Sequence, residues 1–243
     1  MRKALAALVA IVSALVVLPA AAGATNGGGP SGAQVYVTHG LPLPDSVTGP
    51  GTPVDVYVNG GLALDDFTFG TTAGPLTLPA ATYDVQVRTP DGVTTLIQKD
   101  VAVPASGNFS LVASFIDAAG TPGINVFAND VKRPKWGAGA IALHHAAAAP
   151  AVDVDFGLFP LTRKFPWLKI EAVSDAPNGA QARFVLPTRL SYTADVRVAN
   201  TDTTVLSLDD VKVNRKVLTN VYVVGSAEGG TLQALVTMIP TTR

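Results

Sequence analysis

The chain has no cysteine. Its 243 residues therefore hold no disulfide, no thiol nucleophile and no cysteine-ligated zinc or iron–sulfur centre. The same absence removes a lipid-modified cysteine near the N-terminus. Charge is scarce as well: 14% of residues are charged, against roughly 25% in an average globular protein. Lysine and arginine number 17 against 18 aspartates and glutamates, so no basic surplus exists to neutralise phosphates. Nucleic acid is not an expected partner. Signatures of common chemistries are missing too. There is no GxSxG, no HExxH, no P-loop and no DxDxDG-type calcium loop. Serine, histidine and aspartate are present, but not in an arrangement that a nucleophile mechanism requires.

What the chain does have is apolar residues, 48% of the total, the opposite of a disordered composition. The first apolar run is Ala4–Leu18, preceded by Arg2 and Lys3, broken by Pro19 and followed by Ala22-Gly23-Ala24. A positive start, a short apolar core and a small-x-small site make residues 1–24 a secretory signal peptide. The alternative is a membrane anchor, but the run is short for a span of ~20 residues and ends at a good cleavage site. No later run reaches that length, so the mature chain is expected to carry no membrane span. It is expected outside the cytoplasm, either secreted or in the periplasm or envelope.

Residues 25–33 are a Gly-rich, flexible lead-in. Beyond them, short runs of β-branched and aromatic residues alternate at period two, punctuated by Gly, Pro, Asn and Asp. Val54-Asp-Val-Tyr-Val58 runs into Asn59-Gly60, a two-residue hairpin signal. Thr82–Arg88 places Tyr83, Val85 and Val87 on one face and Asp84, Gln86 and Arg88 on the other. No segment past the leader sustains a helical period. The pattern predicts an all-β protein of antiparallel sandwich form. Asn129–Gly139 is polar and basic and reads as a joint. After it, the first half is replayed. Ala140–His144 matches Gln34–His39, Ala151–Phe156 matches Pro53–Val58, and Tyr192–Val198 matches Thr82–Val87. Two tandem domains are expected, residues 34–130 and 140–243, joined by a linker at 131–139, with an insertion at 158–180 in the second.

These phrases carry a resemblance. A strand ending in His, a Pro-containing loop and Val54–Gly60 (VDVYVNG) are followed by Leu78–Val87 (LPAATYDVQV). Val221–Val236 (VYVVGSAEGGTLQALV) closes the series. Together they resemble the DUF4397 domain of secreted bacterial proteins, in two divergent copies covering nearly all of the mature chain. The family's loop after His commonly reads Ala-Ser-Pro-Asp-Ala-Pro. Here the first copy has a longer GLPLPDSVTGPGTP, and the second has HAAAAP without an acid. The resemblance implies an Ig-like β-sandwich with no established activity and no catalytic residues to carry over.

Few residues stand out as sites. His39, His144 and His145 are the only histidines. With Asp153 and Asp155 they are weak metal-ligand candidates, because imidazole and carboxylate together suit a transition metal. The competing reading is a strand-end histidine whose ring bonds a loop carbonyl. Asp55 and Asp153, each between valines, read as acceptors for backbone N–H groups of a neighbouring loop. Asp65-Asp66 and Asp209-Asp210 read as pairs in turns. Asn108-Phe-Ser110 fits a glycosylation sequon by chance. Lys132–Trp136 reads as a solvated linker, with Trp136 packed across the joint. Arg163–Lys169 presents aromatics on a loop, so Phe165, Trp167 and Trp136 are the weak candidates for a contact surface. The favoured reading is an exported, non-enzymatic binding or spacer protein of the cell surface or envelope, without a cofactor. Its partner would be a cell-surface protein or glycan, met chiefly through loops Leu41–Thr52 and Leu158–Gly179. The alternative is a secreted enzyme or metal carrier built on a His/Asp cluster.

N-terminal sequencing of the exported chain is expected to start at or next to Thr25. A chain still carrying Arg2 and Lys3 would make the segment an anchor instead.

Overall fold

The computed structural model describes residues 32–42, 53–165 and 167–243. The expected signal peptide 1–24, most of the expected lead-in 25–33 and the greater part of the loop Leu41–Thr52 lie outside the described residues. The described residues divide into two compact units. One holds residues 32–114 and 122–129, the other 115–121 and 130–243.

The first unit contains β1 (Ala33–His39), β2 (Val54–Val58), β3 (Gly61–Phe67), β4 (Thr72–Leu78), β5 (Ala81–Arg88), β6 (Thr95–Val103), β7 (Asn108–Phe115) and β8 (Pro122–Ala128). They form two four-stranded sheets, ordered β4-β1-β7-β8 and β3-β2-β5-β6. The second unit contains β9 (Ala138–Ala148), β10 (Val152–Phe159), α1 (Leu161–Lys164), β11 (Lys169–Ala176), β12 (Gln181–Pro187), β13 (Ser191–Val198), β14 (Thr204–Lys212), β15 (Val217–Ser226) and β16 (Gln233–Pro240). Its sheets run β12-β9-β15-β16 and β11-β10-β13-β14, the same order strand for strand. The fold is therefore all-β, with a four-on-four sandwich in each unit. β1 pairs with β7 and β9 with β15 in parallel, while β4 with β1, β12 with β9, β15 with β16 and the pairs of the other two sheets are antiparallel.

Alternation drives the layering. Val54, Val56, Val85, Val87, Ile97 and Val101 are buried from one sheet of the first unit, and Val35, Leu111 and Ile124 from the other. In the second unit Val152, Val154, Phe156, Ala194 and Val196 meet Ile141, Leu143, Val221 and Val223. Two local devices recur. Tyr83 Oη donates to the Pro79 carbonyl at 3.1 Å and Tyr192 Oη to the Pro187 carbonyl at 2.9 Å. This tyrosine-corner bond ties the start of a strand back to the Leu-Pro that precedes it. The β2–β3 turn is the expected Asn59-Gly60, both at positive φ (50° and 79°), which suits the twist of a two-residue hairpin.

In the expected linker 131–139, Lys132, Lys135 and Trp136 are exposed, while the segment is tied to Thr241 and Thr242. Lys132 bridges to Thr242 in parallel, and Arg133 donates to the Thr241 hydroxyl and carbonyl. The expected insertion 158–180 is also smaller than the sequence suggested, because it contains β11, which occupies β3's place in the order. What is added is the hairpin connection 160–168, including the single turn of α1, where the first unit needs only two residues.

Ile141 is fully buried in the central strand β9. Ile141→Ala is expected to lower unfolding free energy by about 2–5 kcal/mol in urea titration. Val185→Ala on the half-exposed edge strand β12 is expected to cost about 0.5 kcal/mol or less.

Candidate functional site

Each unit carries a carboxylate node at the base of the hairpin between its second and third strands. Asp55 on β2 and Asp153 on β10 are both buried. Each accepts a backbone N–H from the neighbouring edge strand: Asp66 N to Asp55 Oδ1 at 3.1 Å, and Asp175 N to Asp153 Oδ1 at 2.9 Å. Asp66 and Asp175 sit at φ of 47° and 51°, and the ladder slips beside both. These are β-bulges, which leave an N–H without a ladder partner, and the buried carboxylate takes it up. The backbone-acceptor reading of the two aspartates fits this geometry. The expectation that Asp65-Asp66 and Asp209-Asp210 lie in turns does not: they lie on β3 and β14, with Asp66 and Asp210 at positive φ.

The surroundings of the two nodes differ. In the second unit Asp153 also accepts Asn200 N at 3.0 Å. Arg197, opposite it on β13, reaches Asp155 with two nitrogens at 2.7 and 3.2 Å, Glu171 at 3.0 Å and Asp153 at 3.8 Å. The Asp175 N–H, joined by Asn200 N–H and Arg197, holds the Asp153 carboxyl below its ordinary range against the cost of desolvation. In the first unit Arg88 occupies the matching register opposite Asp55. It turns away, lying 4.4 Å from the centre of the Tyr57 ring and bonding Gln86. Asp55 is left beside Asp65 and Asp66, their carboxylate oxygens all within 4.8 Å. Burial raises the Asp55 carboxyl; the Asp66 N–H opposes this and the charges of Asp65 and Asp66 add to it. This cluster escaped the sequence reading because a bulge, not a motif, brings it together.

The histidine and aspartate candidates do not assemble. Among the described residues, no group of three or more ligand side chains joins His39, His144, His145, Asp153 and Asp155. His39 ends β1, is fully buried against Phe67 and Phe69, and accepts Leu41 N at 3.4 Å. His144 and His145 are not strand-end residues, since β9 continues to Ala148. Alternation puts His145 on the core side with Ile141 and Leu143, so it, not His144, matches His39. Its Nδ1 donates to the Ala176 carbonyl at 3.1 Å, and burial lowers its pKa. His144 stacks on Tyr222 at 4.7 Å, and burial pushes it down to about 4 against a hydrogen bond to Asn220. The sequon is a structural pair: Asn108 Oδ1 accepts from Asn129, and Ser110 is buried.

The aromatic candidates separate. Trp136 is 80% exposed, so it does not pack as expected. Trp167 is 74% exposed and Phe165 half-buried, their rings meeting edge to face at 5.4 Å. They belong to the β10–β11 connection, where Leu158, Leu161, Leu168 and Ile170 are exposed too. Beneath, Thr162 is buried and shares a hydrogen bond with Thr193 at 2.7 Å; Thr193 donates to Asp209, which also takes two bonds from Arg163 at 2.8 and 3.0 Å. Gly157 permits this, since a methyl there would collide with Thr162. The tip is thus pinned by polar contacts on its inner side and apolar on its outer side.

The family described as Domain of unknown function (DUF4397) matches residues 33–155. No curated protein matches the chain. Among solved structures, the chain is similar to CBMbc, a family CBM26 protein from Eubacterium rectale Amy13K in complex with maltoheptaose. Identity is 12%, TM-score 0.26, and coverage 86% of this chain and 98% of that one. It is also similar to a candidate adhesin from Bacteroides ovatus, with 13% identity, TM-score 0.23, and 87% and 93% coverage. Scores of that size support no argument about function. Among the described residues, no helix is long and apolar enough to cross a membrane.

The two nodes are expected to respond oppositely to neutralisation. Asp55→Asn keeps an acceptor for Asp66 N–H and removes a repelled charge, so it is expected to raise the melting temperature at pH 7. Because the folded-state pKa of Asp55 is raised, the wild type regains that stability as pH falls through it, and the gap closes. Asp153→Asn is expected to lower the melting temperature at pH 7. A depressed pKa stabilises above the ordinary carboxylate value, so this deficit shrinks as pH falls below it. Thermal melts between pH 7 and acid pH check both signs.

Proposed function

The chain belongs to the DUF4397 family, and from that premise we propose that it is an exported, non-enzymatic β-sandwich protein that binds a component of the cell surface or envelope. The contact surface is the hairpin tip 158–170 of the second unit. One observation carries this reading. At the same point of the same strand order, the first unit closes with Asn59-Gly60, while the second builds a pinned loop that holds five large apolar side chains in solvent. Soluble proteins seldom keep such a patch without a use for it. The two units are tandem copies in this reading, and only the second copy elaborated this hairpin.

The non-enzymatic part rests on how the reactive groups are used. The core-facing histidines hold backbone and aromatic neighbours, and Asp153 and Asp155 are engaged by backbone N–H groups and Arg197. Among the described residues, none of the three histidines is set beside a hydroxyl nucleophile at the surface. An exposed tip of this kind suits contact with a surface component, and the sequence suggested a surface protein or a glycan.

Fractionation of the native host tests the proposal. The mature chain is expected to stay with the envelope through a high-salt wash, because apolar contact is not screened by salt. Replacement of Trp167 and Ile170 by serine is expected to release it into the medium. Wild-type chain found free in the medium overturns the reading.

A further inference from the structure

The chemistry of the hairpin tip narrows what it holds. Its exposed side chains are mostly aliphatic: Leu158, Leu161 and Leu168 are about half exposed and Ile170 is 71% exposed, beside Trp167. A sugar ring is recognised by a flat aromatic face with hydrogen-bonding groups at its edge. Here Trp167 and Phe165 stand edge to face at 61°, so they make no flat platform, and the aliphatic neighbours offer no hydrogen bond. A bilayer surface asks for what is present: an exposed apolar tip, a tryptophan within it and cations beside it.

Charge points the same way. Between Asp155 and Glu171 the sequence has no acidic residue, but it has Arg163, Lys164 and Lys169. Lys169 is committed to Asp195, and Arg163 to Asp209 while staying largely exposed. Lys164 is exposed, packs over the Phe165 ring at 5.5 Å and has no carboxylate partner among the described residues. A cation that rides on an aromatic ring at the edge of an apolar tip is placed to meet a phosphate as the ring enters the headgroup layer. The polar pinning of Thr162 and Arg163 fixes the tip beforehand, so little ordering is left for the moment of contact.

Building on the surface-binding reading above, we propose that the tip 158–170 is an interfacial anchor for an anionic lipid surface. Leu161, Trp167, Leu168 and Ile170 enter the boundary between headgroups and acyl chains, and Lys164, with Arg163 behind it, meets the phosphates. The contact is a shallow one, made by a folded hairpin and not by a spanning segment.

The test uses the exported chain in a Trp136→Phe background, which leaves Trp167 as the sole fluorophore of its type. Flotation is measured with vesicles of phosphatidylcholine alone and of phosphatidylcholine mixed with phosphatidylglycerol. The chain is expected to float with the mixed vesicles, with a blue shift of Trp167 emission. Trp167→Ser with Ile170→Ser is expected to weaken binding by about tenfold or more, as loss of two large apolar side chains implies. Lys164→Glu is expected to weaken binding to the mixed vesicles and leave any binding to the neutral ones unchanged. If the chain stays on the native envelope but floats with neither vesicle, the partner is a protein or a glycan. The surface-binding reading then survives and the lipid assignment falls. Flotation that the double serine variant does not weaken also overturns it, since binding would then lie elsewhere.

Discussion

An aspartate buried near the start of a strand is an expensive choice, and each sandwich makes it at the same place. Without partners, Asp55 and Asp153 would cost several kcal/mol each in lost hydration, on the order usual for buried unpaired polar groups. Each is satisfied by a backbone N–H that only a bulge makes available, at Asp66 and at Asp175. Carboxylate and bulge therefore require one another. The bulge bends and twists the edge strand, and so sets the direction in which the hairpin beyond it leaves the sheet. The second-to-third strand hairpin, the element that carries the candidate contact surface, takes its course from this one hydrogen bond.

With that constraint shared, the two units spent their remaining freedom differently. In the second, Asp155 stands where the first has Tyr57 and Glu171 where it has Leu62, and these two acids redirect the facing arginine. Arg197 folds onto Asp155, Glu171 and Asp153, whereas Arg88 lies on the Tyr57 ring. The second node becomes an ion network around Arg197 beneath the long hairpin. The first keeps three carboxylates together under a tight turn. A network with Arg197 at its centre stiffens the base from which the long tip projects, which a two-residue turn does not need.

Much of the fold was legible because it depends on short-range rules. Alternation in Thr82–Arg88, the Asn59-Gly60 turn and the recurrence of Leu-Pro before a tyrosine all act within a few residues. The unread parts have a common physical cause. On β3 the buried residues are Leu64 and Phe67, three apart, because the bulge at Asp65-Asp66 breaks the two-residue period. An alternation test sees a turn there. The same break hid Asp209-Asp210 within β14. On β9 nearly every residue is buried, so no polar face marks which of His144 and His145 points inward. The acidic cluster and the Arg197 network depend on which strand lies beside which, information that no local window contains. Phe165 and Trp167 were visible as aromatics on a loop. The pinning that turns them outward was not, because it comes from Thr193 and Asp209, far along the chain.

That pinning is the strongest reason to regard the tip as built for contact. A loop holding Leu161, Phe165, Trp167, Leu168 and Ile170 could lower its free energy by folding those side chains down over the open end of the sandwich. Burial of even one of them is worth about 1.5–3 kcal/mol. In this loop the inward position goes to Thr162, a small polar residue, with Gly157 cleared of a side chain to receive it. Arg163 closes the underside through Asp209. The inner face is thus occupied by groups that satisfy each other, and the apolar groups are left outside by construction. An arrangement that forgoes available burial within its own chain gains only when something else supplies it.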